Sequence, residues 1–213
     1  MAALLHEAWR AVPGLRHGFL PGRVEPTDAI ALPRQVHGTR VVTATTAGER
    51  PEADGIVTAC PATLVGIVTA DCVPILLLAP RRRVAAAVHA GWRGAAGGIV
   101  AAALAHLRDA FDVEPRDVEA VIGPAIGPCC YEVGPEVRAA FHAASGDTTG
   151  RAWSRRGDRD VLDLRHAVRA LFHAGGVERV AELGPCTRCS PAYCSYRRDG
   201  AEAGRQVSFI GWA

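Results

Sequence analysis

Apolar runs of strand length crowd the first half of the chain, and stripes at helical spacing follow them. Residues 64–69, 75–79 and 84–88 are near-continuous apolar segments and predict buried strands. Only Pro80, Arg81, Arg82 and Arg83 separate the last two. That connection is too short to cross a sheet, so it predicts the tip of an antiparallel hairpin. After Gly94 the period changes. Ile99, Val100, Ala103, Leu104 and Leu107 fall on one helical stripe.

Residues 118–122 predict another short strand, running into a Gly- and Pro-rich turn at 123–128. Pro135 suits the first position of a helix carrying Val137, Ala140 and Phe141. Residues 145–160 are polar and Arg-rich and read as a surface loop. Asp163 predicts the cap of a helix with Leu164, Val168, Leu171 and Phe172, ended by Gly175 and Gly176. Residues 206–210 predict a final strand. Early strands, later helices and a hairpin together predict an α+β fold with a mixed or antiparallel sheet. No linker or repeat divides residues 1–213, which read as a single domain.

Composition narrows the function classes. The 24 basic residues, all arginine, nearly balance 22 acidic ones. That balance gives no reason to expect nucleic acid or a membrane surface as the main partner. Lysine and asparagine are absent. Schiff-base lysine chemistry and a Cys-His-Asn triad are therefore excluded. The longest apolar stretch, 56–78, is broken by Pro61, Asp71 and Pro74, so no membrane span is expected. Residues 1–7 lack the pattern of a signal peptide, and the expected location is cytoplasmic. In that compartment the seven cysteines read as thiols and ligands rather than disulfides.

Candidate chemistry lies in three short blocks around His37, Cys72 and His89. Two imidazoles and a thiolate form a three-ligand zinc set with a fourth position open, as catalytic sites have. The hairpin gives a geometric reason for two of them to meet. With its turn near Arg81 and Arg82, Pro74 would face His89, and Cys72 would be a diagonal neighbour. His37 comes from a distant segment that spacing alone does not place. Asp71 is a candidate proton carrier, or a turn residue. Arg93, where a strand yields to a helix, is a candidate phosphate ligand. The adjacent Cys129 and Cys130 and the Cys186–Cys189 pair have poor zinc spacing between them and read as buried or partly buried thiols.

Taken in order, these blocks resemble a known family: the purine nucleoside phosphorylase and adenosine deaminase family once described as multicopper polyphenol oxidases, or laccase-domain proteins. The resemblance rests on Gln35 to Gly38, Ala53 to Gly55, Thr69 to Ile75, Ala87 to Gly94, Ile122 to Gly134, Asp163 with Leu164, and Ser195 to Gly200 with Gly204 and Arg205. It implies an α+β domain layered α/β/β/α with mixed sheets, and zinc on His37, Cys72 and His89. It also implies phosphorolysis of adenosine, inosine, guanosine and methylthioadenosine, and deamination of adenosine. The expected partners are a small nucleoside and phosphate, with self-association into a homo-oligomer left open. Copper-dependent phenol oxidation is also attributed to the family, so Cu(2+) is the alternative metal. On this reading Asp71, Cys72 and Arg93 are catalytic, and Gln35, Arg93 and Tyr131 contact substrate. One departure is the segment between Phe19 and Gln35. It is shorter than usual in the family and lacks the family's Asn-Leu pair, which bears on nucleoside preference. A metal-free cysteine hydrolase, with Cys72 as nucleophile and His89 as base, is the rival from another class. A binding protein without turnover is a further alternative.

Overall fold

The computed structural model describes residues 2–24 and 27–213. Met1 of the N-terminal segment and Glu25 and Pro26 of the shortened segment lie outside the described residues. The chain first lays down β1 (Leu15–Phe19), β2 (Ile30–Ala31), β3 (Val41–Thr43), β4 (Gly55–Thr58), β5 (Leu64–Thr69), β6 (Val73–Ala79) and β7 (Val84–Ala90). Helices α1 (Trp92–Gly97) and α2 (Ile99–Phe111) come next, then β8 (Glu119–Ile122), β9 (Glu132–Val133) and α3 (Pro135–Ser145). The remainder is β10 (Trp153–Arg156), β11 (Arg159–Leu162), α4 (Leu164–Ala174), β12 (Arg179–Glu182), α5 (Tyr196–Asp199) and β13 (Gln206–Trp212).

The fold is α+β with mixed sheets. A six-stranded sheet has the order β12-β8-β6-β7-β4-β3, and a four-stranded sheet the order β1-β13-β5-β2. Each contains both parallel and antiparallel pairs. Every residue of β6 and β7 is buried, because both faces of these strands are covered. Ile75, Leu77, Ala86 and Val88 join the core under Ile99, Val100, Leu104 and Phe172. Leu76, Leu78, Ala85 and Ala87 point the other way, towards Val65, Ile67, Ile210 and Trp212 of the second sheet. Alternate residues leave opposite faces of a strand. Two apolar faces therefore give the continuous hydrophobic run seen in the sequence.

The hairpin forms in the expected register, with Pro74 opposite His89 and Val73 opposite Ala90. Its tip is a 3₁₀ turn at Pro80–Arg82, closed by Arg83 at φ 52°. The helical stripe is the buried face of α2. Helix starts earlier than the pattern suggested, at Trp92, and breaks at Gly98, whose φ of 97° favours glycine. Pro135 opens α3, and the Asp163 carboxylate accepts the His166 N–H at 3.1 Å to cap α4.

Residues 145–160 are not a loop. They hold a 3₁₀ turn (Gly146–Ala152) and most of the β10–β11 hairpin, paired Arg156 to Arg159. Gly157 at φ 62° makes the two-residue turn. The sequence does not signal this hairpin because Ser154, Arg155 and Arg156 of β10 are all exposed, and β11 buries the adjacent Val161 and Leu162 rather than alternate residues. Among the described residues no helix is long and apolar enough to cross a membrane.

Candidate metal centre and active site

Four segments deliver the site. His37 lies between β2 and β3, Asp54 immediately before β4, Cys72 between β5 and β6, and His89 near the end of β7. One nitrogen each from His37 and His89 and the sulfur of Cys72 lie within 4.8 Å of one another. The imidazole rings meet edge to face at 4.8 Å. His89 is buried and His37 is exposed, so the group closes on the protein side and opens outward.

Asp54 organises this cluster, and sequence reasoning gave it no role. Fully buried, its carboxylate accepts the backbone N–H groups of Val36, His37 and Gly38 at 3.2, 2.9 and 2.7 Å. Three successive amides around one anion form a nest. The nest holds His37 at φ 61°, a left-handed conformation that is strained for a residue with a side chain. The same carboxylate contacts His89 Nδ1 at 2.8 Å. The carboxylate accepts a hydrogen bond there from Nδ1–H, which leaves Nε2 as the electron-pair donor for a metal. The only available signal was the Ala53-Asp54-Gly55 block, which names the residue without showing what it holds.

Electrostatics follow from this packing. Burial pushes the Cys72 thiol up, but hydrogen bonds from His37 and His89 outweigh it and bring it down to about 6. Burial pushes His89 down, yet hydrogen bonds to Asp54 and Cys72 raise it to about 9. Burial likewise opposes ionisation of Asp54, but the His89 and backbone hydrogen bonds hold it below the usual carboxylate range. The metal-free chain thus carries a thiolate beside an imidazolium.

The site fits one zinc ion. Bonds of about 2.0–2.3 Å to N and S place tetrahedral ligand atoms ~3.3–3.8 Å apart, a spacing these side chains reach with small rotations. Gly91 leaves the necessary room. A Cβ there would sit 3.1 Å from both Cys72 Sγ and His37 Cδ2. Gly91→Ala is therefore expected to push the ligands apart at a cost of about 1–3 kcal/mol. That predicts at least a several-fold loss of zinc affinity in a chelator competition titration; an unchanged affinity would contradict this placement.

The cluster opens into a cavity of about 660 Å³, a size suited to a nucleoside-sized ligand. Gln35, Asp71, Arg93 and Tyr131 all line it, as do Trp92, Tyr196 and Arg197. Each has a particular setting. Gln35 binds the Val68 backbone at both ends of its amide, at 2.8 Å each. One amide hydrogen and one lone pair remain for a ligand. Asp71, at φ 85°, accepts the Thr187 hydroxyl and the Arg197 N–H, both at 2.6 Å. Arg93 is exposed, with its guanidinium 4.4 Å over the Trp92 ring. The helix behind Arg93 is only six residues long, so its dipole adds little to anion binding. Tyr131 is half-buried; burial and the nearby Cys72 push its hydroxyl up to about 12, so it stays a donor.

The thiols of Cys129, Cys130, Cys186 and Cys189 are not independent. Their sulfurs all lie within 4.8 Å of one another, and Cys129 and Cys189 are exposed. Both pairs were visible in the sequence, but the packing that brings them together was not.

The layered mixed-sheet fold is that of a known class. Residues 21–213 match the family described as multi-copper polyphenol oxidoreductase laccase, and the chain belongs to that family. Among its relatives is a purine nucleoside phosphorylase from Deinococcus radiodurans, 40% identical over 184 residues that span 86% of this chain and 70% of that protein. Purine nucleoside phosphorylase YfiH from Escherichia coli is 36% identical over 180 residues, 83% of this chain and 71% of that one. A solved structure of YfiH from Bacillus licheniformis superposes with a TM-score of 0.89 at 26% identity, covering 100% of this chain and 97% of the other. YlmD from Geobacillus stearothermophilus gives 0.85 at 27% identity, covering 94% and 93%.

Proposed function

We propose that this chain is a zinc-dependent purine nucleoside phosphorylase that also deaminates adenosine. The observation that carries the proposal is the convergence of His37, Cys72 and His89 on one point of an arginine-lined cavity. Zinc bound there would supply a Lewis acid and a water of lowered pKa. The protein's own residues do the rest. Arg93, in no ion pair among the described residues, takes phosphate with a forked pair of donors. Gln35 and Tyr131 offer hydrogen bonds to the nucleoside. Each Asp71 oxygen keeps a second lone pair beside its existing hydrogen bond, so the carboxylate can relay a proton to or from the base.

Adenosine incubated with and without phosphate tests the proposal. Adenine formed only with phosphate, together with inosine formed in its absence, is the expected result. Tight nucleoside binding with neither product would instead mark a binding protein.

One observation favours a second reading. Cys72 near 6 and His89 near 9 describe an activated thiolate–imidazolium pair, as a metal-free cysteine hydrolase needs. Such an enzyme survives chelation; the zinc enzyme does not. Phenol oxidation by copper fits less well. Among the described residues only His37 and His89 converge with a third ligand, fewer imidazoles than a multicopper centre uses.

Metal uptake should strengthen with rising pH between about 6 and 9. Binding needs Cys72 as thiolate and His89 Nε2 without a proton, and below about 6 both are protonated. Activity is accordingly expected to fall below roughly pH 6, measured as phosphorolysis rate alongside bound zinc. In the metal-free chain the two groups oppose each other. The His89 proton stabilises the fold below its ordinary value of 6.5, and that contribution is lost as pH rises through about 9; the Cys72 thiolate contributes above its ordinary value of 9.0, and that contribution is lost as pH falls through about 6.

A further inference from the structure

Beside the cavity two tight turns face each other. In one, Cys130 N–H donates to the Gly127 carbonyl at 2.9 Å; in the other, Ser190 N–H donates to the Cys186 carbonyl at 3.0 Å. The first presents Cys129 and Cys130, the second Cys186 and Cys189. Cys189 Sγ lies 3.7 Å from that of Cys129 and 3.3 Å from that of Cys130. Four thiolates at about 2.3 Å from one tetrahedral zinc sit ~3.8 Å apart, close to this spacing.

We propose that Cys129, Cys130, Cys186 and Cys189 bind a second zinc ion in a closed, structural site distinct from the His37–Cys72–His89 centre. Two of the four sulfurs already accept N–H donors, as thiolates do. Gly127 N–H points at Cys186 Sγ at 3.2 Å, and Arg188 Nη1 at Cys130 Sγ at 3.3 Å. Gly127 also lets the turns approach, since a Cβ there would lie 3.2 Å from Cys186 Cβ. Four thiolates on one divalent ion leave a net negative charge. Guanidiniums lie nearby: Arg197 on the Cys130 carbonyl, Arg156 on that of Cys129 and Arg198 on that of Thr187, the last two also paired with Glu132 and Asp199.

The ion would tie together two segments that the active site depends on. Tyr131 follows Cys130 directly. Thr187 follows Cys186 and holds Asp71 at 2.6 Å. A cross-link between the turns fixes the cavity wall without touching substrate.

The test is the zinc content of the whole chain, expressed with zinc and purified under reducing conditions. The proposal expects two ions per chain, one in Cys72→Ala, one in the Cys186→Ser, Cys189→Ser double variant, and none when all three changes are combined. Should the catalytic-centre reading fail instead, the chain would hold a single ion that the double variant loses and Cys72→Ala keeps. Alkylation mapped by mass spectrometry on the unaltered chain is an independent measure. It should show all four cysteines protected until a chelator is added, although Cys129 and Cys189 are exposed to solvent. Unchanged zinc in the double variant, free alkylation before chelation, or a disulfide joining the two turns would each overturn the proposal.

Discussion

Cys72→Ala is expected to lower phosphorolysis and deamination by more than about 100-fold, beyond the range usual for residues that only support a metal ligand. The thiolate is the sole anion among the three ligands, and it lies against both imidazoles. Removing it leaves only two neutral nitrogens, one buried on His89 and one exposed on His37, to hold a divalent cation. Zinc should leave with the sulfur while the fold persists, because Cys72 lies at the cavity rather than within either apolar core. Metal analysis, circular dichroism and product assays on the same sample check all three points. Activity close to that of the unaltered chain would remove Cys72 from the site. His37→Ala then separates the mechanisms. The zinc enzyme loses activity and bound metal with it, whereas a metal-free cysteine hydrolase loses only a hydrogen bond to its thiolate and keeps a residual rate that chelator does not change.

Asp54→Asn is expected to be the most damaging change to a residue that touches no substrate. The carboxylate accepts three backbone N–H groups and contacts His89 Nδ1. An amide has one oxygen, and its nitrogen would point donor at donor. Each buried N–H left without an acceptor costs about 1–3 kcal/mol. The His37 turn loses the anion that holds its left-handed backbone, and His89 loses the partner that fixes its tautomer. Zinc affinity should fall about 10–100-fold. Denaturation in excess chelator reads the stability loss apart from the metal, and competition titration reads the affinity. If affinity were untouched while stability fell, Asp54 would be a purely structural residue and the tautomer argument would fail.

The hairpin explains why the meeting of Cys72 and His89, two of the three candidate ligands, was legible in the sequence. A short connection between two apolar runs fixes an antiparallel pairing, the pairing sets Pro74 opposite His89, and Cys72 follows from counting. Counting along a strand is local, and local physics can be read from residue order. The caps at Pro135 and Asp163 and the stripe on α2 were legible for the same reason. The β10–β11 hairpin was not, since its exposed arginines carry no alternating pattern.

Residue order thus determined the α+β class, the central hairpin and the capped helices, and it offered His37, Cys72 and His89 as candidate metal ligands. Tertiary structure decided what those side chains mean to one another. It put Asp54 under His37 and His89, turned Asp71 towards Thr187 and Arg197, and gathered four cysteines from two remote turns. These contacts join segments up to 126 residues apart. Spacing in sequence constrains distance only while the backbone between two residues is regular; across loops and layers, the burial of apolar faces sets which segments meet.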